Sequence, residues 1–326
     1  MDVESNRGIA VVIPAYRVAS RVLEVISRIG PEVDAIYVVD DCCPEGSGSV
    51  VRTHCKDPRV TVIVHTENQG VGGAVMSGYL AALKDSMHVV VKVDGDGQMD
   101  PALIPSFARP ILEGWADYAK GNRFFDLDGV RSMPTVRLIG NAVLSLMAKA
   151  STGYWNVFDP TNGYTAIDAR VLARLPLKRI SKRYFFETDM LFRLNTLRCV
   201  VLDVPMSAVY GGEQSSLRVR QVVFEFALKH VSNVLKRIFY SYFLRDMSIA
   251  SIQLVVGACF LMFGAAFAAF TWFSVAQRGV AAPVGTIMIA ALSILIGVQL
   301  LLAFAAADMA SVPSQPAGRL FGRGPR

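Results

Sequence analysis

Val89-Val90-Val91-Lys92-Val93-Asp94-Gly95-Asp96-Gly97-Gln98-Met99-Asp100 decides how this chain is read. A β-branched run reads as a buried strand, and it empties into two carboxylates one residue apart, each followed by a glycine, with an amide close behind. That is a cation site in outline. Asp94, Asp96 and Gln98 offer the hard oxygen donors that Mg²⁺ and Mn²⁺ prefer, and the glycines let backbone come close to a ligand. Alone, the stretch is equally an acidic turn after a strand, so its neighbours must decide.

Upstream, the same pattern repeats. Ile9 to Ile13 is a strand ending at Pro14-Ala15-Tyr16, with Ser20 placed to cap the helix that carries Val22, Leu23, Ile26 and Ile29. Ala35 to Val39 is a second strand, stopping at Asp40-Asp41. Val60 to Val64 is a third, leading to Asn68-Gln69-Gly70-Val71-Gly72-Gly73 and a helix through Leu83. Strands alternating with helices imply an α/β fold with a mostly parallel, doubly wound sheet, whose ligands gather at the carboxyl ends of the strands. Tyr16, Asp40, Asp41, Asp94 and Asp96 all stand at such ends. The glycine cluster after the third strand lacks the Gly-x-Gly-x-x-Gly order and the first-strand position of a dinucleotide fingerprint. It suits a helix start passing close to a phosphate or sugar, or simple tight packing of helix on sheet.

The 326 residues carry a net charge of +6, and a mean hydropathy of +0.39 is high for a soluble enzyme. The apolar excess is concentrated. Ser248 to Ala276 and Pro283 to Ala307 hold no charged residue, and each is long enough to cross a hydrocarbon layer as a helix. The link from Gln277 to Ala282 makes them a transmembrane hairpin; two buried core helices are the competing reading. Lys229, Lys236, Arg237 and Arg245 precede the first span, Arg319, Arg323 and Arg326 follow the second, and the loop holds only Arg278. This distribution places both termini and the catalytic part in the cytoplasm, and it assigns the basic charge to a membrane rather than to nucleic acid. The polar Met1 to Gly8 start gives no expectation of a cleavable signal peptide. Cys42, Cys43, Cys55, Cys199 and Cys259 show no zinc spacing and read as reduced thiols.

Val12-Ile13-Pro14-Ala15-Tyr16, Val38-Val39-Asp40-Asp41, Asn68-Gln69-Gly70 through Gly78, and Asp94-Gly95-Asp96-Gly97-Gln98 together resemble the nucleotide-sugar half of family 2 glycosyltransferases of the GT-A fold. Their order and spacing are similar to those of dolichyl-phosphate mannose synthases and bacterial polyprenyl-phosphate glycosyltransferases, from about Ile9 to Tyr210. The resemblance implies transfer of one sugar, with inversion, from a nucleotide-diphosphate sugar to a polyprenyl phosphate. By the same resemblance Asp94, Asp96 and Gln98 hold Mg²⁺ or Mn²⁺. Pro14, Ala15, Tyr16, Asp40, Asp41 and Gly70 frame the nucleotide. Arg123 and Arg137 meet the lipid phosphate, and Asp159, in Asp159-Pro160-Thr161-Asn162-Gly163-Tyr164, lies near the reacting centre. Asp189 or Glu187, at the start of the helix from Phe185, faces the site. Arg17-Val18 stand where family members have Asn-Glu, which leaves the base open, and Gly212 to Arg218 depart from the family's Gly-x-Ser-Lys lid pattern.

The expected organisation is a catalytic domain over 1–218, juxtamembrane interfacial helices over 219–247, the hairpin over 248–310 and a basic tail over 311–326. Membrane lipids are the expected partners beside donor and acceptor. A homo-oligomer is compatible with the chain. A hydroxyl-directed glycosyltransferase and a non-catalytic sugar-nucleotide-binding scaffold are the alternatives.

Overall fold

The computed structural model describes residues 8–125, 135–206 and 219–321, without the side chains of 135–139, 141 and 219–224. Seven strands form one sheet: β1 (Ile9–Ala15), β2 (Ala35–Asp40), β3 (Val60–Val64), β4 (Val89–Lys92), β5 (Tyr118–Asn122), β6 (Thr165–Asp168) and β7 (Val201–Pro205). Their order is β3-β2-β1-β4-β6-β5-β7. All neighbours run parallel except where β6 lies antiparallel between β4 and β5. The mostly parallel, doubly wound sheet expected from the strand–helix alternation is present. Strand order reverses between β1 and β4, the place where sheets of this kind open a crevice at their carboxyl ends. Because β6 runs the other way, the turn that enters it reaches the same edge.

The β-branched runs account for the core. Val11, Ile13, Val38 and Val91 are fully buried on one face against Val22, Val25 and Phe107, at roughly 1.5–3 kcal/mol per large apolar side chain. Those last three come from α1 (Val22–Ser27) and α4 (Ile104–Leu112). On the other face α3 (Val71–Lys84) crosses β1 so closely that a Cβ at Gly78 would lie 2.3 Å from the Val12 side chain. Beside α3 lies α7 (Phe186–Thr196), while α2 (Ser47–His54) and the one-turn α6 (Ala169–Leu172) close the ends of strands. Ser20 does not cap α1: the helix starts after a tight turn in which the Val18 carbonyl accepts the Arg21 and Val22 N–H groups at 3.0 and 2.9 Å. A backbone acceptor already meets the need a serine hydroxyl would serve.

Two features lie past the sheet. α5 (Thr135–Thr152) and the long α8 (Val219–Phe239) meet where Ser151 Oγ and His230 Nδ1 are 2.7 Å apart, both side chains buried. Residues 313–321, after the hairpin, belong to the same compact unit as the sheet. There the Asp117 carboxylate, 1% exposed, accepts the N–H groups of Ala317 (2.8 Å), Gly318 (2.6 Å) and Val200 (2.7 Å). Burial pushes its carboxyl pKa up, and the three N–H groups oppose that. The tail is thus a strap on the edge of the sheet opposite the crevice.

The second unit, Leu235–Val312, contains α9 (Ile249–Arg278) and α10 (Val284–Ala310). At 1.5 Å per residue both exceed a ~30 Å hydrocarbon layer. Only 11% and 17% of their most apolar stretches are buried, whereas the core helices of the alternative reading would be mostly buried; exposed apolar surface of this extent favours a membrane. The pair packs through glycines: a Cβ at Gly297 would lie 2.6 Å from the Leu261 nitrogen, so the backbones meet as they do in membrane helix pairs. At the base, the Asp308 carboxylate accepts from the two terminal nitrogens of Arg237, Nη1 and Nη2, at 2.6 and 3.0 Å and from the Tyr242 hydroxyl at 2.8 Å, all buried.

Candidate active site

The crevice edge collects the residues singled out by spacing. β1 delivers Pro14 and Ala15, paired in register with Val39 and Asp40 of β2, and Tyr16 follows, 42% exposed and open to a ligand. Asp40 and Asp41 are there too, but buried. Asp40 accepts the N–H groups of Cys43 (2.7 Å) and Gly48 (2.6 Å). Asp41 accepts those of Gln69 (2.8 Å) and Gly70 (2.7 Å) and contacts His65 Nδ1 at 2.8 Å, whose Nε2 meets Ser77 Oγ at 2.8 Å. Both carboxylates therefore shape the loops that border the crevice. Gly70, at φ +83°, is where only glycine fits, because a Cβ would lie 2.6 Å from the Lys182 carbonyl.

β4 ends at Lys92, and Asp94, Asp96 and Gln98 follow at its carboxyl end, each partly exposed. Asp96 accepts the Gln98 N–H at 2.9 Å, and its own carbonyl accepts from Arg21 at 3.0 Å, so the loop is fixed from both sides. Two carboxylates and one amide oxygen, at an open edge and on a braced loop, fit Mg²⁺ or Mn²⁺, which keep several waters and bind few protein oxygens. Among the described residues no cluster of three His, Cys, Asp or Glu side chains competes for that role.

Asp159 enters from the turn before β6 and is 1% exposed. Its oxygens are taken: Arg123 binds it through Nε at 2.7 Å and Nη2 at 3.1 Å, with Thr161 Oγ1 at 3.3 Å and the Asn162 amide at 3.4 Å. Arg123 follows β5 and keeps 35% of its side chain exposed, facing a pocket formed with Phe124, Leu144, Ser145, Phe158 and Pro160. Phe158 is exposed there, with Lys149 Nζ 5.5 Å from its ring centroid. Arg137 lies on α5, its side chain outside the described set, and the loop from Tyr210 to Arg218 lies outside the described residues. Asp189, 5% exposed, accepts the Ser181 N–H at 2.8 Å and lies 3.5 Å from Arg193. It holds the segment whose Lys182 carbonyl receives the Gly72 N–H at 2.8 Å.

Beneath the crevice lies a charged layer that the sequence reading passed over. Lys92 on β4, Thr165 on β6 and Lys120 on β5 stand side by side in register, none more than 1% exposed. Lys92 Nζ is 2.8 Å from Asp94 Oδ1 and 3.8 Å from Glu187 Oε1. Lys120 Nζ donates to the Asn162 carbonyl in the Asp159 turn. Burial pulls Lys92 down but Asp94 and Glu187 outweigh it, leaving its pKa raised, whereas burial lowers Lys120 to about 8. Burial raises Glu187, against the pull of both lysines. The available signal was a lysine inside an otherwise apolar strand, which needs a partner wherever it is buried.

A reversed-order α/β sheet with an acidic pair after its fourth strand is the architecture of GT-A transferases. The family model for glycosyl transferase family 2 matches residues 10–175, and the chain belongs to that family: it is a glycosyltransferase. It is 32% identical over 203 residues to the undecaprenyl-phosphate mannosyltransferase of Micrococcus luteus, covering 61% of this chain and 82% of that one. Over 233 residues it is 26% identical to the dolichol-phosphate mannosyltransferase of Pyrococcus furiosus, with 70% and 64% of the two chains covered. Among solved structures, glucosyl-3-phosphoglycerate synthase from Mycobacterium tuberculosis with Mg²⁺ and UDP shares the fold at a TM-score of 0.52 and 19% identity, over 71% of this chain and 79% of that one.

Proposed function

We propose that the protein transfers one sugar from a nucleotide-diphosphate sugar to the phosphate of a membrane polyprenol, with inversion at the anomeric carbon. The observation that carries this reading is the Arg123–Asp159 pair. A general base needs a lone pair aimed at the proton it removes, and those of Asp159 are occupied by Arg123, Thr161 and Asn162. A phosphate acceptor needs no such base, being largely ionised at neutral pH with a second pKa of about 6. What it needs is a held guanidinium, and Asp159 holds one in a pocket whose apolar lining is Phe124, Leu144, Phe158 and Pro160. This apolar lining suits the first isoprene units.

In this scheme a phosphate oxygen held at Arg123 forms the new bond to the anomeric carbon as the bond from that carbon to the nucleotide diphosphate breaks. The electron pair leaves with the diphosphate. Asp94, Asp96 and Gln98 would hold a divalent cation, which supplies Lewis-acid neutralisation of that leaving charge. Tyr16, Pro14, Ala15 and the loops braced by Asp40 and Asp41 border the nucleoside. The M. luteus and P. furiosus relatives, named for undecaprenyl and dolichol phosphate, support the acceptor class.

α9 and α10 anchor the enzyme in the bilayer. Two spans return the chain to the face it left, in keeping with the Ala317–Gly318 strap on Asp117, and the basic flanks favour the cytoplasmic face. The test is a panel of UDP-, GDP- and dTDP-sugars with a polyprenyl phosphate, with and without Mn²⁺, followed by mild acid. Sugar released from the lipid supports a glycosyl phosphate; an acid-stable product points to a hydroxyl acceptor and sinks this reading.

A further inference from the structure

We propose that Lys92 is a built-in counter-charge that keeps Asp94 and Asp96 from binding a free divalent cation tightly, so that the cation arrives together with the nucleotide diphosphate. The inference rests on the metal reading above and deepens it. Lys92 is 1% exposed and its Nζ lies 2.8 Å from Asp94 Oδ1. It has nowhere to swing: a Cβ at Gly163 would sit 2.5 Å from Nζ and 3.0 Å from Asp94 Oδ2, so the backbone of the Asp159 turn is packed against the pair.

A cation binding Asp94 from the crevice would therefore meet a fixed positive charge directly behind its ligand. Repulsion between charges this close is strong in a partly buried site, because few waters screen it. Glu187, with its Oε1 3.8 Å from Lys92 Nζ, offsets part of that charge, and Lys120, in the same buried row, adds to it. A diphosphate brings several negative charges to the same place and reverses the balance. The sequence alone conceals this arrangement, since Lys92 and Glu187 are far apart in the chain and meet only when α7 packs beside α3.

The charge argument predicts opposite signs for two substitutions, which loss of structure does not. Mn²⁺ binding to the full-length protein in detergent, without nucleotide, is read from the electron paramagnetic resonance signal of free Mn²⁺. Lys92→Met should tighten binding at least tenfold, and Glu187→Gln should weaken it several-fold. A folded Lys92→Met protein, judged by its melting curve, that binds Mn²⁺ no tighter than wild type overturns the proposal. Should Lys92→Met fail to fold, the Glu187→Gln arm decides, and unchanged or tighter binding there overturns it. Wild-type transfer that survives EDTA would instead remove the metal reading itself, separately from the role given to Lys92.

Discussion

Replacing Asp117 by asparagine should release the C-terminal strap. The native carboxylate accepts three backbone N–H groups at 2.6–2.8 Å, with Gly318 on one oxygen and Ala317 and Val200 on the other. An amide keeps one acceptor oxygen and turns the other position into a donor, so at least one buried N–H loses its partner and faces another N–H. A hydrogen bond to a charged group contributes about 1.5–3 kcal/mol, and an unsatisfied buried donor costs about 1–3 kcal/mol. Asparagine recovers part of that by removing the burial penalty that raises the Asp117 pKa. The net loss is about 2–3 kcal/mol, or roughly 5–10 °C of melting temperature for a domain of this size. Differential scanning fluorimetry in detergent reads the melting shift. Limited trypsin treatment reads the strap, since release should speed cleavage after Arg319. A melting temperature within a degree of wild type, with Arg319 equally protected, would refute the reasoning.

Asp96→Ala should lower Mn²⁺-dependent transfer at least ~100-fold, the scale of losing a group that stabilises charge in the transition state, while leaving the melting curve in place; unaltered turnover would remove Asp96 from the cation site. Arg123→Lys should raise the KM for polyprenyl phosphate about tenfold or more and leave the donor KM alone, since an ammonium cannot reproduce the guanidinium fork; equal effects on both substrates would place Arg123 elsewhere in the reaction. His230 supplies a pH test. Its pKa is lowered by burial to about 4, so the folded state favours the neutral ring. The stabilisation is complete above pH 6.5 and is lost as pH falls toward 4, on the order of 2–3 kcal/mol. His230→Gln should flatten this acid dependence in melting curves taken from pH 7 to 4, and an unchanged slope would show that another group titrates.

The sequence by itself determined the strands, their carboxyl-end acids and the two apolar helices. Each is a local signal: a β-branched run, Asp94-x-Asp96 at its end, a charge-free stretch longer than a bilayer core. Ser20 is where a local signal failed, because a carbonyl brought round by the Val18 turn took the place of the hydroxyl. Only the tertiary structure decided what the acids face. Asp40 and Asp41 look alike with Asp94 in the sequence, yet the first two are buried on loop N–H groups while Asp94 stays at the crevice, because burial and partners are fixed by loops distant in the chain. The antiparallel β6 set Asp159 against Arg123 and brought Lys92, Thr165 and Lys120 into one row. The strap on Asp117 joins residues some two hundred positions apart. Such pairings follow from how strands are ordered in the sheet, and strand order is a property of packing that no local run of residues encodes.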